Sequence, residues 1–176
     1  MHKVLPASYA NRLLVSIPEA YYWITLTVFV VVSLIFVSRF GLKRGLKWGL
    51  NLLLAEYVFL LYCSTVFFRP ASSGIGFNVI PFKTYKEILC GKEFLLSQSI
   101  MNVVVFVPIG LLLGMVVKKW SVALTIGVLI SLCIEMLQYL LAKGYCEIDD
   151  VVHNTLGCLL GIGIYLLGRR CYLMLR

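Results

Sequence analysis

The chain has 176 residues, of which 61% are hydrophobic and 14% charged, and it carries a formal net charge of +8 with a mean hydropathy of +0.94. This apolar excess is too large for an ordinary soluble domain, so the composition predicts an integral membrane protein. The positive charge then reports membrane topology, and no nucleic-acid partner is expected. The sequence has no Walker loop, H-E-x-x-H pair, G-x-S-x-G elbow or dinucleotide fingerprint, so neither nucleotide chemistry nor a cofactor is predicted.

Five apolar stretches are long enough to cross about 30 Å of hydrocarbon, which takes roughly 17 to 25 helical residues. They are 20–38, 50–68, 100–117, 121–142 and 151–168. We therefore expect an all-α, polytopic membrane helix bundle with about five transmembrane helices. Its regions are two N-terminal spans with a basic loop (1–68), an outer loop with spans 3 to 5 (69–168), and a basic tail (169–176). The first stretch has full span length, so no cleavable signal peptide is expected.

Basic residues are distributed unevenly between the two sides of these spans. One side receives nine basic residues and no acidic one: Arg39, Lys43, Arg44, Lys47, Lys118, Lys119, Arg169, Arg170 and Arg176. The other side, which includes Lys3 and Arg12, mixes basic with acidic residues. The positive-inside rule makes the first side cytoplasmic. The sequence thus predicts a multi-pass plasma-membrane protein with its N-terminus outside and its C-terminus in the cytoplasm.

The outer segment between spans 2 and 3 opens with Arg69, a cation that emerges from a span directly before a proline. Further along, Thr84 and Glu87 have the spacing of a helix capping box. A short amphipathic helix on the outer membrane surface is therefore predicted near 84–96. Two outer cysteines are candidates for a disulfide, although free thiols are favoured: Cys90 and Cys146.

Small and polar residues share one helical face on each of the last three spans. These faces contain Asn102, Gly110 and Gly114 in span 3, Gly127, Ser131, Glu135 and Gln138 in span 4, and Asp150, Asn154, Gly157 and Gly161 in span 5. A rise of about 1.5 Å per residue places the polar members within about 10 Å of the outer membrane face. Only Glu56 lies in the inner half. Because glycines let helices approach closely, spans 3 to 5 should form a tight bundle with a polar vestibule opening outward.

The polar residues of this vestibule also have structural interpretations. Buried amides commonly join membrane helices by hydrogen bonds, and Asp149 and Asp150 are suited to cap the N-terminus of span 5. Glu135 is harder to explain in this way, because a buried glutamate carries an ionisation penalty that an amide avoids. A metal site on these carboxylates and His153 is disfavoured, because the two aspartates point about 100° apart on a helix, and no metal is predicted.

Five ordered motifs contain these residues. They are Arg69-Pro70, Asn78-x-x-Pro81-Phe82, Asn102-x-x-x-Phe106-x-Pro108-x-Gly110, Glu135-x-x-Gln138 and Asp149-Asp150-x-x-x-Asn154-x-x-Gly157. The set, which covers residues 69 to about 163, resembles the VanZ-like family of bacterial membrane proteins. The resemblance implies that the chain acts at the cell envelope in the response to antibiotics. The family is similar to a protein that gives low-level resistance to teicoplanin, a lipid-tailed glycopeptide. It assigns no catalytic residue.

The leading hypothesis is an outer-leaflet polar site that binds or modifies a lipid-linked or lipid-tailed cell-wall molecule. Glu135 is the candidate acid or base, with Asp150 as its partner, and Arg69 is suited to an anionic head group. The other substrate-binding candidates are Asn78, Asn102, Gln138, Asp149 and Asn154. A small transporter or proton-coupled carrier and a structural or partner-binding membrane protein remain alternatives. The sequence does not decide whether the chain is an enzyme.

Overall fold

A computed structural model of the chain describes residues 19–70, 72, 74 and 76–176. Its elements are α1 (Glu19–Phe40), α2 (Leu42–Tyr62, continued by a π-helical turn, Cys63–Phe67), β1 (Gly76–Asn78), α3 (Lys83–Leu89), α4 (Phe94–Val116), α5 (Trp120–Leu140), β2 (Tyr145–Glu147) and α6 (Ile148–Met174). Four helices are long and apolar enough to cross a membrane: Arg44–Phe67, Phe94–Val116, Trp120–Leu140 and Ile148–Met174. The predicted all-α membrane bundle is confirmed.

The predicted spans differ from the helices mainly at their ends. The first span corresponds to α1, whose apolar part is the shorter segment Leu26–Arg39. Span 3 was expected from residue 100, but α4 already begins at Phe94. The cations Lys3 and Arg12 of the topology argument lie outside the described residues.

The predicted outer helix is α3, which ends at Leu89 and does not continue to residue 96. Gly91 adopts a positive φ of 95°, a conformation that glycine reaches without steric cost. Its N–H bonds the Ile88 carbonyl at 2.9 Å, while the Lys92 N–H bonds the Glu87 carbonyl at 3.1 Å. These two bonds form a Schellman motif, which satisfies the last carbonyls and stops the helix.

Helices α4 and α6 pack against each other along much of their length, α5 packs against α6, and α2 packs against α4. The buried apolar residues shared by these helices include Val66, Phe106, Ile109, Leu113, Ala123, Ile134, Cys158 and Ile162. Helix α1 contacts α2. The core is therefore built by α2, α4, α5 and α6.

Glycines set the close distance between α4 and α6. Three of them face a carbonyl oxygen of the partner helix, in the pairs Gly157 with Val103, Gly161 with Val107, and Gly110 with Cys158. A Cβ at any of these positions would collide with backbone. The predicted close approach is confirmed, and we call this contact the glycine seam.

Two three-residue strands pair in parallel, with Asn78 of β1 opposite Glu147 of β2. Sequence reasoning missed them, because a strand of three residues is too short to show alternation and the paired residues are 69 positions apart. The ring of Phe77 packs on Tyr139, with centroids 4.1 Å apart. The strand pair fastens the loop after α2 to the segment before α6, and the ring contact fastens it to the end of α5.

Candidate functional site

A cavity of about 400 Å³ opens at the end of the bundle where α2 and α5 end and α4 and α6 begin. Six of the eight predicted site residues line it: Arg69, Asn102, Glu135, Gln138, Asp150 and Asn154. Apolar side chains, among them Phe106 and Ile134, form its base. Polar members of the helical faces predicted for the last three spans therefore line a single cavity.

Glu135 projects from α5 into this cavity and is only 2% exposed. Its Oε2 accepts a hydrogen bond from the backbone N–H of Glu147 at 3.1 Å, which fixes the carboxyl group beside the start of α6. Glu147 and Asp150 line the same cavity, so three carboxyl groups share one enclosed space. Burial and the Asp150 carboxylate raise the pKa of Glu147, while a hydrogen bond from Asn78 opposes that rise.

Two basic side chains, Arg69 and Lys143, line the cavity together with the carboxyl groups. Arg69 follows the π-helical turn, and its guanidinium lies beside Gly144. Neither cation forms an ion pair with a described residue. Both are therefore available to an anionic group that enters the cavity.

Amide side chains connect the cavity wall to neighbouring helices. Gln138 donates from Nε2 to the Thr65 carbonyl at 3.1 Å, and Asn154 donates from Nδ2 to Ser131 Oγ at 2.8 Å. Asn154 is 4% exposed, and its Oδ1 accepts no hydrogen bond from a described residue. Because buried polar atoms are normally satisfied, this oxygen is a good acceptor for a donor on a bound molecule. The side chain of Asn102 makes no hydrogen bond with a described residue and is similarly available.

The remaining two predicted residues, Asn78 and Asp149, do not line the cavity. Asn78 donates from Nδ2 to Oε1 of Glu147 at 3.3 Å, so it supports a residue that does. Asp149 accepts hydrogen bonds from the backbone N–H groups of Phe82 and Thr84 at 2.7 and 2.8 Å. Both side chains therefore hold the outer loop against α6.

Asp149 caps α3 and not its own helix. Its two hydrogen bonds hold Phe82 in a left-handed conformation with φ of 61°, which is rare for a bulky residue. The capping box predicted from Thr84 and Glu87 is wrong: the Thr84 N–H is bonded to Asp149, and Glu87 pairs with Lys92 at 2.9 Å. A carboxylate 65 positions away thus replaces the local cap.

A buried histidine links α3 to the cavity. His153 is 2% exposed, and its Nε2 lies 2.8 Å from the hydroxyl of Tyr85. Its Nδ1 lies 3.9 Å from Oδ1 of Asp150, which lines the cavity. Among the described residues, no three His, Cys, Asp or Glu side chains are grouped as ligands for a metal ion. Cys90 and Cys146 are both free thiols.

Sequence reasoning missed seven polar residues of the cavity wall: Ser64, Thr65, Ser72, Gln98, Lys143, Tyr145 and Glu147. Gln98 was placed before span 3, although it lies in α4. Lys143 and Glu147 were counted as loop charges. Their closeness to Gln138 and Asp150 along the chain was a usable signal, because residues next to the ends of two cavity helices must lie at the cavity mouth.

Comparison with known proteins places these features in a family. The sequence model of the VanZ/LLP1 family matches residues 54–169, more than half of the chain and all the residues that line the cavity. Protein VanZ of Enterococcus faecium is 36% identical over 70 residues, which are 39% of this chain and 44% of that relative. The match thus spans less than half of the curated relative's length. No solved structure matches the chain. The chain belongs to the VanZ/LLP1 family.

Proposed function

We propose that the cavity binds the head group of a lipid-linked or lipid-tailed molecule of the cell envelope, and that the chain thereby contributes to the response to lipoglycopeptide antibiotics such as teicoplanin. The observation that carries the proposal is the buried Glu135 in a cavity that also holds two cations, neither of which forms an ion pair with a described residue. Family membership supports the link to glycopeptide resistance.

Energetics support a functional interpretation of these charges. Removing a carboxylate from water costs several kcal/mol, and replacing a buried ion pair by apolar residues of similar volume is often neutral or stabilising. Glu135 accepts one hydrogen bond from a backbone N–H and lies near two further carboxyl groups. An amide would make the same bond without the ionisation penalty. Selection for binding or proton transfer explains why a glutamate is present.

The opening of the cavity is proposed to face the exterior. The opposite end of the bundle carries Lys118, Lys119, Arg169 and Arg170, and we call it the basic end. The positive-inside rule makes this end cytoplasmic. Lipid-linked precursors and lipid-tailed antibiotics would then meet the cavity at the outer leaflet, with the tail in the bilayer.

Each side chain has a role in the proposed complex. Arg69 and Lys143 bind an anionic group such as a phosphate or carboxylate. The free Oδ1 of Asn154 accepts a hydrogen bond from a hydroxyl or amide of the bound molecule. Glu135, next to Asp150, holds or moves a proton if a bond is made or broken at the site.

A transporter would use the same carboxylates but needs a polar path through the membrane. Here the apolar residues Phe106, Ile109 and Leu113 lie buried in the core from the cavity base onward. This arrangement favours binding from one side. Proton or solute flux in reconstituted vesicles would instead favour the transport alternative.

The test is antibiotic susceptibility in a teicoplanin-sensitive bacterium that expresses variants of the chain. We expect E135Q, D150N and R69Q each to lower the teicoplanin concentration tolerated by at least about fourfold, because each removes a group that holds or protonates the ligand. The matched control is E56Q, which changes a second glutamate of the membrane helices that does not line the cavity. Equal membrane levels of all variants must be verified. Wild-type tolerance in E135Q and D150N would overturn the proposal.

A further inference from the structure

The basic end holds a second cavity, of about 470 Å³, between the end of α4 and the last turns of α6. Two cations, Lys118 and Arg169, line it, and none of the described residues in its lining is acidic. Apolar side chains, among them Met115, Ile162 and Leu166, form part of its wall. We call this feature the basic groove.

The charges of the basic groove are not used within the described part of the chain. Lys118 and Arg169 are exposed and form no ion pair with a described residue. Trp120, on the first turn of α5, also lines the groove and is 57% exposed. Tryptophan at a helix end is typical of the membrane–water interface. The groove therefore lies at the depth of lipid head groups.

We propose that the basic groove binds the phosphate of an anionic membrane lipid, with one acyl chain along its apolar wall. A soluble phosphate would use the two cations but leave the wall of Met115 and Leu166 uncovered. A zwitterionic lipid would cover the wall, yet its net charge of zero gives the cations less attraction. Basic pockets between helices on the cytoplasmic side are suited to anionic head groups. This site is separate from the proposed cavity at the other end and does not depend on it.

Alternatively, Lys118 and Arg169 only help to orient the chain in the membrane, as the positive-inside rule describes. The chain offers a control for this alternative. Lys119 and Arg170 follow the two groove cations directly and carry the same charge on the same side, but they do not line the groove. Topological or diffuse electrostatic effects would depend equally on both pairs. A bound lipid would depend on Lys118 and Arg169.

The experiment is native mass spectrometry of the purified full chain in detergent, titrated with dioleoylphosphatidylglycerol, dioleoylphosphatidylcholine or inorganic phosphate. We expect a phosphatidylglycerol adduct that K118Q/R169Q weakens roughly twenty-five-fold, since each of the two cations near an anionic head group contributes about fivefold. The K119Q/R170Q control should change it less than about twofold. The proposal would be overturned if both double variants weakened phosphatidylglycerol binding equally. It would also be overturned if the wild-type chain bound phosphatidylcholine or inorganic phosphate as strongly as phosphatidylglycerol.

A second measurement locates the lipid without relying on the charge variants. In a W23F/W48F background Trp120 is the remaining tryptophan, so its fluorescence reports the groove. Phosphatidylglycerol with brominated acyl chains should quench Trp120 more than brominated phosphatidylcholine does at the same mole fraction. K118Q/R169Q should remove the difference. Identical quenching by both lipids in the parent protein would contradict binding in the groove.

Discussion

The glycine seam and the cavity use the same two helices in opposite ways. Along the seam, α4 and α6 approach so closely that a single Cβ would strike a carbonyl oxygen. At the cavity, the same helices present Asn102 and Asn154 to an open space. The seam contains no charged group, whereas the cavity contains three carboxyl groups and two cations. The seam therefore stabilises the fold, whereas burying the charged groups of the cavity costs stability.

This contrast makes substitutions in the two regions behave differently. Substitutions at the seam glycines should destabilise the fold whether the new side chain is polar or apolar, because the backbone of the partner helix leaves no space for an added Cβ. Cavity residues should affect ligand binding with little loss of stability, and some replacements should even stabilise the protein. The predictions below test this division, from the largest expected effect to the smallest.

The largest effect is expected from G161L in the seam. A Cβ at this position would meet the Val107 carbonyl and lie 2.6 Å from the Leu111 nitrogen, so the helices must separate. We expect a loss of about 3 kcal/mol or more, measured as a lower yield of monodisperse protein and a lower unfolding temperature. The control is G163L, two residues away on the same helix, where nothing lies within 4 Å of the added Cβ. Similar losses in both variants would contradict the seam.

A smaller effect is expected from D149A at the support of the cavity. This change removes the acceptor of the Phe82 and Thr84 N–H groups, and the lost charge-assisted bonds are worth about 2 kcal/mol. Amide hydrogen exchange over α3 should accelerate roughly thirtyfold, the equivalent of that energy, while exchange in α5 stays unchanged. D150A alters the neighbouring carboxylate and should leave α3 protected. Equal deprotection by D150A would show that Asp149 is not the cap.

The third effect is a gain in stability where function is lost. E135Q removes a buried carboxyl group near two others and keeps an oxygen for the Glu147 N–H. We expect the free energy of unfolding to stay equal or rise by up to about 1 kcal/mol. Ser131 lies on the same helix as Glu135, and S131A removes the hydrogen-bond partner of Asn154. This variant should instead lower the free energy of unfolding by about 1 kcal/mol. A loss above about 2 kcal/mol in E135Q would assign its carboxyl group to structure.

The smallest effect is the pH dependence caused by Glu147. Burial and the Asp150 carboxylate raise its pKa above the ordinary 4.5, so the folded protein binds this proton more tightly than the unfolded chain. The stabilising contribution is complete below pH 4.5 and is lost as the pH rises through the raised value. Because Glu147 is partly exposed, screening keeps the contribution small. The contribution of Glu147 is the free energy of unfolding of the wild type minus that of E147Q, measured at each pH. This difference should fall as the pH rises, and a difference that grows with rising pH would contradict the prediction.

The sequence predicted the parts of the site that depend on one helix at a time. Within α5, the helical repeat correctly placed Ser131, Glu135 and Gln138 on one buried face. The helical repeat also placed Asn154 and Gly157 together on α6. That these faces would meet followed from their shared depth, since polar groups in a membrane avoid the lipid.

Sequence reasoning failed where partners are far apart in the chain. Asp149 was suited to capping its own helix, but its side chain satisfies α3, 65 positions away. The β1–β2 pair could not be predicted for the same reason, because each strand is formed only by pairing with the other. The end of α3 was predictable from local residues, since a glycine directly after the last helical turn, here Gly91, is a usual helix stop.

The outer loop and the start of α6 are joined at three places: the pair of strands, the Asp149 cap and the contact between Tyr85 and His153. The loop leaves the ribosome well before residues 145–153, with α4 and α5 between them. During synthesis the loop therefore lacks these three contacts until α6 has been made. A chain truncated before residue 145 would lack all three contacts, so the cavity wall is complete only once β2 and α6 are present.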